Sequence, residues 1–377
     1  MKRVLIVAGD PSGDLIASKL VESMKRLEPG LTVVGLGGQH LKQHSDVFLG
    51  NIVHQHALGF AISPKQILFF HRILNQVILP ELIQNPPDAV IPVDFYGFNS
   101  RVARVAKSRG HRVFYYVSPQ FWASRSYRAD RLRPFVDLFL CLFPFEAEFY
   151  RKHQLPAQFV GHPILDQLPE VSVGDAHPVR IEPNLGLLPG SRPDEIKRHL
   201  PVMLQACEKI AAVFPRTRFI LFTVPNVSRE FYYAILDKGK KSRILVELIQ
   251  DEHYLWRSQL DLAITASGME TLENALLGIP MVVMYKTNWI TYLIARMLIQ
   301  IPYLAMPNLL SNKKLVPEFI QFNARPGALA QPIIDWLKDP ALRVHVREEL
   351  LALRQQMGEH GASERAARTI LDLDKVA

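Results

Sequence analysis

The residues best suited to chemistry stand at the ends of short apolar runs. In "LGLLPGSRPDEIKRHL", residues 185 to 200, an apolar strand closes at Pro189 and a tight Gly190-Ser191 turn follows. Pro193 then suits the first turn of a helix. Free backbone N–H groups and the helix dipole at such a turn favour an anion, and the planar fork of Arg192 matches phosphate oxygens. A plain strand-to-helix turn with a solvated arginine is the competing reading of so short a motif. The stretch "DLAITASGMETLENALLGIPMVVMY" repeats the pattern, with Ser267-Gly268 opening a helix that carries Glu270 and Glu273. Glu270, three residues after Ser267, fits a capping role. Glu273, one turn further on, would accept both hydroxyls of a ribose if its face looks into the cleft. Arginine for pyrophosphate and glutamate for ribose together describe a nucleotide-sugar site.

Carboxylates supply the second element. In "DAVIPVDFYGFNSRVARVAK", Asp94 stands at the carboxyl end of a fully apolar strand, where a base could take a proton from an attacking sugar hydroxyl. An aspartate there can equally serve as a turn residue or cap. Asn99 is expected to cap the next helix, which frees Asp94 from that task. The first turn, "VAGDPSGDLIASKL" (residues 7 to 20), has the strand-Gly-helix form of a phosphate loop. It carries no lysine and no third glycine, and Asp10 and Asp14 flank it. Carboxylates in that position suit an acceptor half, with the nucleotide held by the other half of the chain.

These elements need scaffolds. At 377 residues, 48% hydrophobic and 21% charged, the chain suits two domains with their own cores. Runs such as "RVLIVA", "TVVGLGG", "AVIPVDF" and "DLFLCLFPF" alternate with helical patterns, which implies βα units on a parallel sheet. A Pro- and Gly-containing passage from Leu155 to Asn184 breaks the rhythm, and the pattern restarts at "NLGLLPGSR". The expected fold is α/β, with two Rossmann-like doubly wound domains facing across a cleft and C-terminal helices packing back. The expected boundaries are an acceptor-side, membrane-facing domain at 1–165, a nucleotide-sugar domain at 180–338 and a helical segment at 339–377. Ligands in such sheets lie outside the carboxyl ends of the strands.

Several function classes drop out. No Walker A sequence and no G-x-S-x-G elbow occurs, and "GLGGQH" lacks the full dinucleotide spacing. The thirteen histidines form no ligand set and Asp372 with Asp374 makes a poor one, so no metal and no cofactor are expected. Cys141 and Cys207 lie in apolar segments, which argues for a reducing compartment. "MKRVLIVAGD" reads as a first strand rather than a signal peptide. No run reaches the roughly 18 apolar residues of a spanning helix. A net charge of +8 calls for an anionic partner. Scattered basic residues without a binding motif exclude nucleic acid, leaving phosphorylated substrates or an anionic membrane surface.

The membrane reading has its own segment. In "PKQILFFHRILNQVILPEL", residues 64 to 82, Ile67, Phe69, Phe70, Ile73, Leu74 and Val77 belong to an apolar arc of about half the helix circumference. Lys65, His71 and Arg72 flank it. That suits a helix in the bilayer interface, although burial between elements explains it equally well. "NWITYLIARMLIQIPYLAMPNLL", residues 288 to 310, is similar in character.

With these pieces assembled, the chain resembles the lipid-A-disaccharide synthase family of GT-B glycosyltransferases, nearly end to end. The likeness is carried by "AGDPSGD" (8–14), "PDAVIPVDFYGFN" (87–99), "YYVSPQFWASR" (115–125), "FVGHPILD" (159–166), "LLPGSRPDEI" (187–196), "ASGMETLE" (266–273) and "MPNLLSNKKLVPEFIQ" (306–321). The resemblance implies inverting, metal-free transfer of an acylated glucosamine from its UDP derivative to an acylated glucosamine 1-phosphate. The products are UDP and a β-1,6-linked disaccharide. It implies a cytoplasmic enzyme, peripheral at the inner face of the cytoplasmic membrane, and leaves a homodimer open. Carried over by position, the base falls on Asp94, a second acidic residue on Asp10, the arginine on Arg192 and the asparagine of "PNLL" on Asn308. Ser12, Gly13, Gly190, Ser191, Ser267, Gly268 and Glu273 are expected to line the substrate site.

The sequence also departs from that family. Asp10-Pro11 replaces Glu-Ala, Gly97 replaces a second aspartate, "SGMETLE" replaces "SGTATLE", and "LGFAISPKQIL" lacks a glutamate. These changes admit a divergent transferase with another lipid or soluble acceptor, or a non-catalytic UDP-sugar-binding relative.

Overall fold

Strands that stay apolar, rather than alternating, bury both faces, and such runs form the centres of two parallel sheets. The computed structural model describes residues 1–53, 64–124, 126–171, 180–238, 244–251, 253–298 and 301–375. Most of the "LGFAISPKQIL" departure, Arg125 and residues 172–179 of the inter-domain passage lie outside the described residues. Among the described residues the chain divides into two units, Met1–Asp166 with Met357–Ala377, and Gln167–Gln356.

The first unit holds a seven-stranded sheet ordered β3-β2-β1-β4-β5-β6-β7. Its strands are β1 (Arg3–Ala8), β2 (Thr32–Gly37), β3 (Val47–Asn51), β4 (Ala89–Val93), β5 (Arg112–Tyr116), β6 (Leu138–Cys141) and β7 (Ala157–Phe159). The second holds a six-stranded sheet ordered β10-β9-β8-β11-β12-β13. Here the strands are β8 (Asn184–Leu188), β9 (Arg218–Phe222), β10 (Val246–Ile249), β11 (Leu262–Ala266), β12 (Met281–Tyr285) and β13 (Glu318–Ile320). Every pairing is parallel. In each sheet the order reverses once, between β1 and β4 and between β8 and β11. Loops diverge to opposite faces at such a switch point and leave a crevice at the carboxyl ends. Ala8 pairs with Val93 and Leu188 with Thr265, so each unit brings two turns together there. Those four turns carry Asp10, Asp94, Gly190 and Ser267.

The C-terminal stretch does not stand alone as a helical segment at 339–377. The helix Pro340–Gln356 buries Val346, Leu350, Leu351 and Leu353 in the second unit. The helix Ala362–Lys375 buries Ala362, Ser363, Ala366 and Ala367, small enough for close packing on the helix Pro11–Leu27, together with Ile370. Arg365 fastens this return by donating from Nε to the Val160 carbonyl at 2.8 Å.

The amphipathic segment resolves into three pieces, helix Pro64–Ile73, a π-turn Leu74–Ile78 and helix Leu79–Gln84. Pro80 has no N–H to offer the Gln76 carbonyl, and the ladder widens so that the Leu79 N–H donates to the Leu74 carbonyl. The wide apolar arc is therefore shared between two environments. Phe70, expected to face the membrane, instead belongs to the core with Ile78 and Leu82, because its ring meets those of Phe95 and Phe98. Phe69, Ile73 and Leu74 pack against that core half-buried, and Val77 is half-buried. Ile67, Leu68 and Ile83 remain exposed at 46%, 60% and 54%. No helix among the described residues is long and apolar enough to cross a membrane.

Candidate active site

In the first unit, β1 delivers Gly9 and Asp10 into the crevice. Asp10 is the N-cap of the helix Pro11–Leu27, and Pro11 takes a first-turn position where no N–H is needed. Its Oδ1 accepts from the Gly13 N–H and its Oδ2 from the Ser12 hydroxyl, both at 3.0 Å. Gly13, expected to touch substrate, is buried, and its amide is spent on the cap. A Cβ at Gly13 would lie 2.3 Å from Asp10 Oδ1, which explains the glycine. Ser12 is exposed. Asp14 is also structural: its carboxylate accepts from the Gly38, His40 and Leu41 N–H groups at 2.6, 2.9 and 3.2 Å, and so caps the helix Gln39–His44.

β4 delivers Asp94. It is half-buried. Desolvation, and next the nearby Asp10 carboxylate, push its carboxyl from the usual 3.8 up to about 7, against a lowering hydrogen bond from the Phe95 N–H. A base that titrates near neutrality is matched to proton abstraction at neutral pH. Asn99 does not cap the following helix. That helix, Tyr96–Ser108, starts three residues earlier because Asp94 and Phe95 turn sharply, and Asn99 is buried inside it.

In the second unit, Gly190 has φ +111°, and a Cβ there would lie 2.8 Å from Glu195 Oε2. Ser191 and Arg192 are exposed, and Arg192 is the N-cap of the helix Pro193–Val213. Its guanidinium rests on Glu195 at 3.3 Å, with half its side chain in solvent. Sequence reasoning missed His199, which is buried beneath this turn. It donates from Nδ1 to the Pro189 carbonyl at 2.8 Å and accepts the Lys286 N–H at Nε2 at 3.0 Å. Burial lowers its pKa, so the ring stays neutral and the two partners fix its tautomer.

The Ser267-Gly268 turn precedes the helix Met269–Leu276, and the Ser267 hydroxyl donates to the Leu304 carbonyl at 3.2 Å. Glu270 Oε2 lies 2.6 Å from where a Gly268 Cβ would be, so a carboxylate roofs this turn. Burial raises the Glu270 pKa, and Glu273 and Glu195 add to the rise. Glu273 is paired with Arg257, whose guanidinium lies 5.6 Å from the Phe222 ring centroid and 5.3 Å from that of Tyr254. Arg257 was not singled out from the sequence. With Leu188, Gly190, Thr223, Asp251 and Glu270 it lines a small cavity.

Asn308 is fully buried and touches no solvent-facing surface. Its amide donates to the Val316 carbonyl at 2.8 Å and to Glu318 Oε1 at 2.7 Å, and it accepts the Val316 N–H at 2.8 Å. Glu318 in turn accepts from the Leu304 and Ala305 N–H groups, each at 3.0 Å. Through Glu318, Asn308 braces the loop against which Ser267 rests.

Residues 4–370 match the family model described as lipid-A-disaccharide synthetase. The chain belongs to the lipid-A-disaccharide synthetase family. A lipid-A-disaccharide synthase of Geobacter metallireducens is 35% identical over 99% of this chain and 97% of its own length. Membership makes this chain a glycosyltransferase of lipid A disaccharide formation. Among solved structures, a UDP-GlcNAc 2-epimerase of Neisseria meningitidis bound to UDP-GlcNAc is similar, with TM-score 0.62 at 13% identity over 100% of both chains. Acinetobacter baumannii MurG gives TM-score 0.60 at 16% identity, also over 100% of both. At such identities the likeness establishes the fold, a two-unit α/β architecture of the GT-B type. Against the synthetase family pattern, Gly97 is exposed with nothing within 4 Å of its Cβ position.

Proposed function

We propose that Asp94 is the general base of an inverting displacement that joins two acylated glucosamines. An acylated glucosamine moves from its UDP derivative to an acylated glucosamine 1-phosphate. Asp94 accepts the proton of the acceptor hydroxyl as its oxygen bonds to C1 of the donor. The bond from C1 to the diphosphate breaks, and its electrons leave with UDP. One observation carries this reading: a half-buried carboxyl, raised to about 7, at the switch point of the first unit. Asp10 serves as its electrostatic partner and Ser12 as a contact to the acceptor sugar.

In the second unit, Arg192 and the backbone N–H groups of Gly190, Ser191, Ser267 and Gly268 hold the diphosphate, where negative charge develops. Glu273 takes the ribose, held in place by Arg257. This assigns residues 1–165 to the acceptor and 180–338 to the UDP-sugar. Exposed Ile67 and Leu68, beside Lys65, His71 and Arg72, support docking on an anionic membrane at its cytoplasmic face. Exposed Trp289, Ile290, Leu293 and Met297 on the helix Trp289–Leu298 support a second contact of the same kind. The chain acts there as a peripheral enzyme, alone or as a homodimer.

The test is to incubate purified protein with UDP-diacylglucosamine and diacylglucosamine 1-phosphate in mixed micelles. Mass spectrometry should find the tetraacyl disaccharide phosphate and an equal amount of UDP. Donor hydrolysis or epimerisation without a disaccharide would defeat the reading.

A further inference from the structure

Asp94 and Phe95 leave β4 as two successive left-handed residues, with φ of 47° and 46°. Such conformations cost non-glycine residues about 1–3 kcal/mol each and persist only where neighbours impose them. The neighbours are specific. The Asp94 N–H donates to the Tyr116 carbonyl at 3.0 Å, continuing the β4-β5 ladder past its last paired residues. The Asp94 carbonyl accepts from the Tyr115 hydroxyl at 2.7 Å and from Asn99 Nδ2 at 3.0 Å.

Asn99 Nδ2 also reaches the carbonyls of Val7 at 3.2 Å and Val93 at 3.0 Å, which ties the ends of β1 and β4 together. Its Oδ1 is buried without a hydrogen bond. An unmet buried acceptor costs about 1–3 kcal/mol, which is hard to explain by stability alone. A further contact is steric. A Cβ on Gly9 would fall 2.0 Å from Phe95 Cδ1, so the Phe95 ring occupies the space that only a glycine leaves open. Phe70 packs against this ring, 5.4 Å between centroids.

We propose that Tyr115 and Asn99, together with the Phe95 ring seated on Gly9, are positioning residues that lock the Asp94 turn and so hold the base beside Asp10, half withdrawn from water. This rests on the reading of Asp94 as the base. The ionisable groups around it are Asp10 after β1, Tyr115 on β5 and Tyr96 at the start of the following helix. Burial holds the Tyr115 phenol well above its ordinary range, so it stays a neutral donor at every working pH. When the lock is removed, the turn relaxes, the carboxylate becomes more hydrated and its pKa falls.

The test compares wild type with Tyr115→Phe, which removes one hydroxyl, and Gly9→Ala, which displaces the ring. UDP affinity is measured by calorimetry and kcat is measured from pH 5 to 8. Both variants should lose roughly tenfold to a hundredfold in kcat, as expected for a misplaced base. Their UDP affinity should stay at the wild-type value, and the acid limb of kcat should move to lower pH. A merely structural weakening would not move that limb. Asp94→Asn serves as the control. If it retains turnover, the base reading falls and the lock with it. If it is inactive while both lock variants keep the wild-type kcat and acid limb, only the lock is overturned.

Discussion

Replacing Asp94 with Asn should destroy turnover and, at the same time, make the protein more stable. The ionised carboxylate is disfavoured where it sits, since its pKa rises from 3.8 to about 7 on folding. At 1.36 kcal/mol per pH unit, that displacement corresponds to about 4 kcal/mol. Solvent reaches the half-buried group, and screening brings the expected gain down to about 1–3 kcal/mol. The sign follows from proton linkage. The folded state holds this proton to higher pH than the unfolded chain, so the penalty is absent below pH 3.8, grows up to about 7 and is complete above it. Urea denaturation of wild type and Asp94→Asn at pH 4.5 and 8 measures it, with kcat followed in parallel. The variant should gain little at the lower pH and most at the higher one. Equal stability at pH 8, or an active variant, would refute the argument that a destabilised carboxylate is kept for its chemistry.

Asp10→Asn removes the second-largest cause of the Asp94 shift, so the acid limb of kcat should move below 7. A pH-rate profile checks this. Glu270 roofs the Ser267-Gly268 turn, so Glu270→Gln should bind UDP roughly tenfold more tightly at pH 8, since a like charge near the diphosphate is removed. The gain should shrink as pH falls and the wild-type glutamate takes up its proton, which calorimetry at two pH values would read. Ile67→Glu with Leu68→Glu should reduce sedimentation with anionic vesicles while leaving the unfolding free energy within about 0.5 kcal/mol of wild type, because both side chains are exposed.

The central strands were legible because they are buried, mostly apolar runs closed by turn residues, whereas β7, β10 and β13 each carry a polar residue and are only half-buried or exposed. Asp94, Gly190 and Ser267 each sit just past such a run, and the fold brings their turns to the two switch points. Local pattern failed where the partner lies eight or more residues away, beyond the three- or four-residue spacing of a helix or the two-residue spacing of a strand. Nothing in "MPNLLSNKKLVPEF" shows that Asn308 is consumed by Val316 and Glu318. Nor does any spacing announce that Arg257 pairs with Glu273, or that His199 clamps Pro189 to the end of β12. Asn99 was misread for a related reason. Asparagine before a helical pattern signals a cap, but the left-handed pair Asp94-Phe95 lets the helix begin early and draws Asn99 inward. Phe70 shows the limit of amphipathicity, since an apolar arc wide enough for a membrane is also wide enough for a core and its rim. Gly13 and Asp14 satisfied the sequence pattern of a ligand turn, yet the helix termini around them use their polar groups.

The measurement closest to the central claim is the configuration of the newly made glycosidic bond, read from the anomeric proton coupling of the purified disaccharide. One base-activated hydroxyl attacking an α-linked UDP-sugar must give the β anomer in every molecule. An α-linked product would require a covalent glycosyl-enzyme or a dissociated donor, and it would take the chemistry away from Asp94.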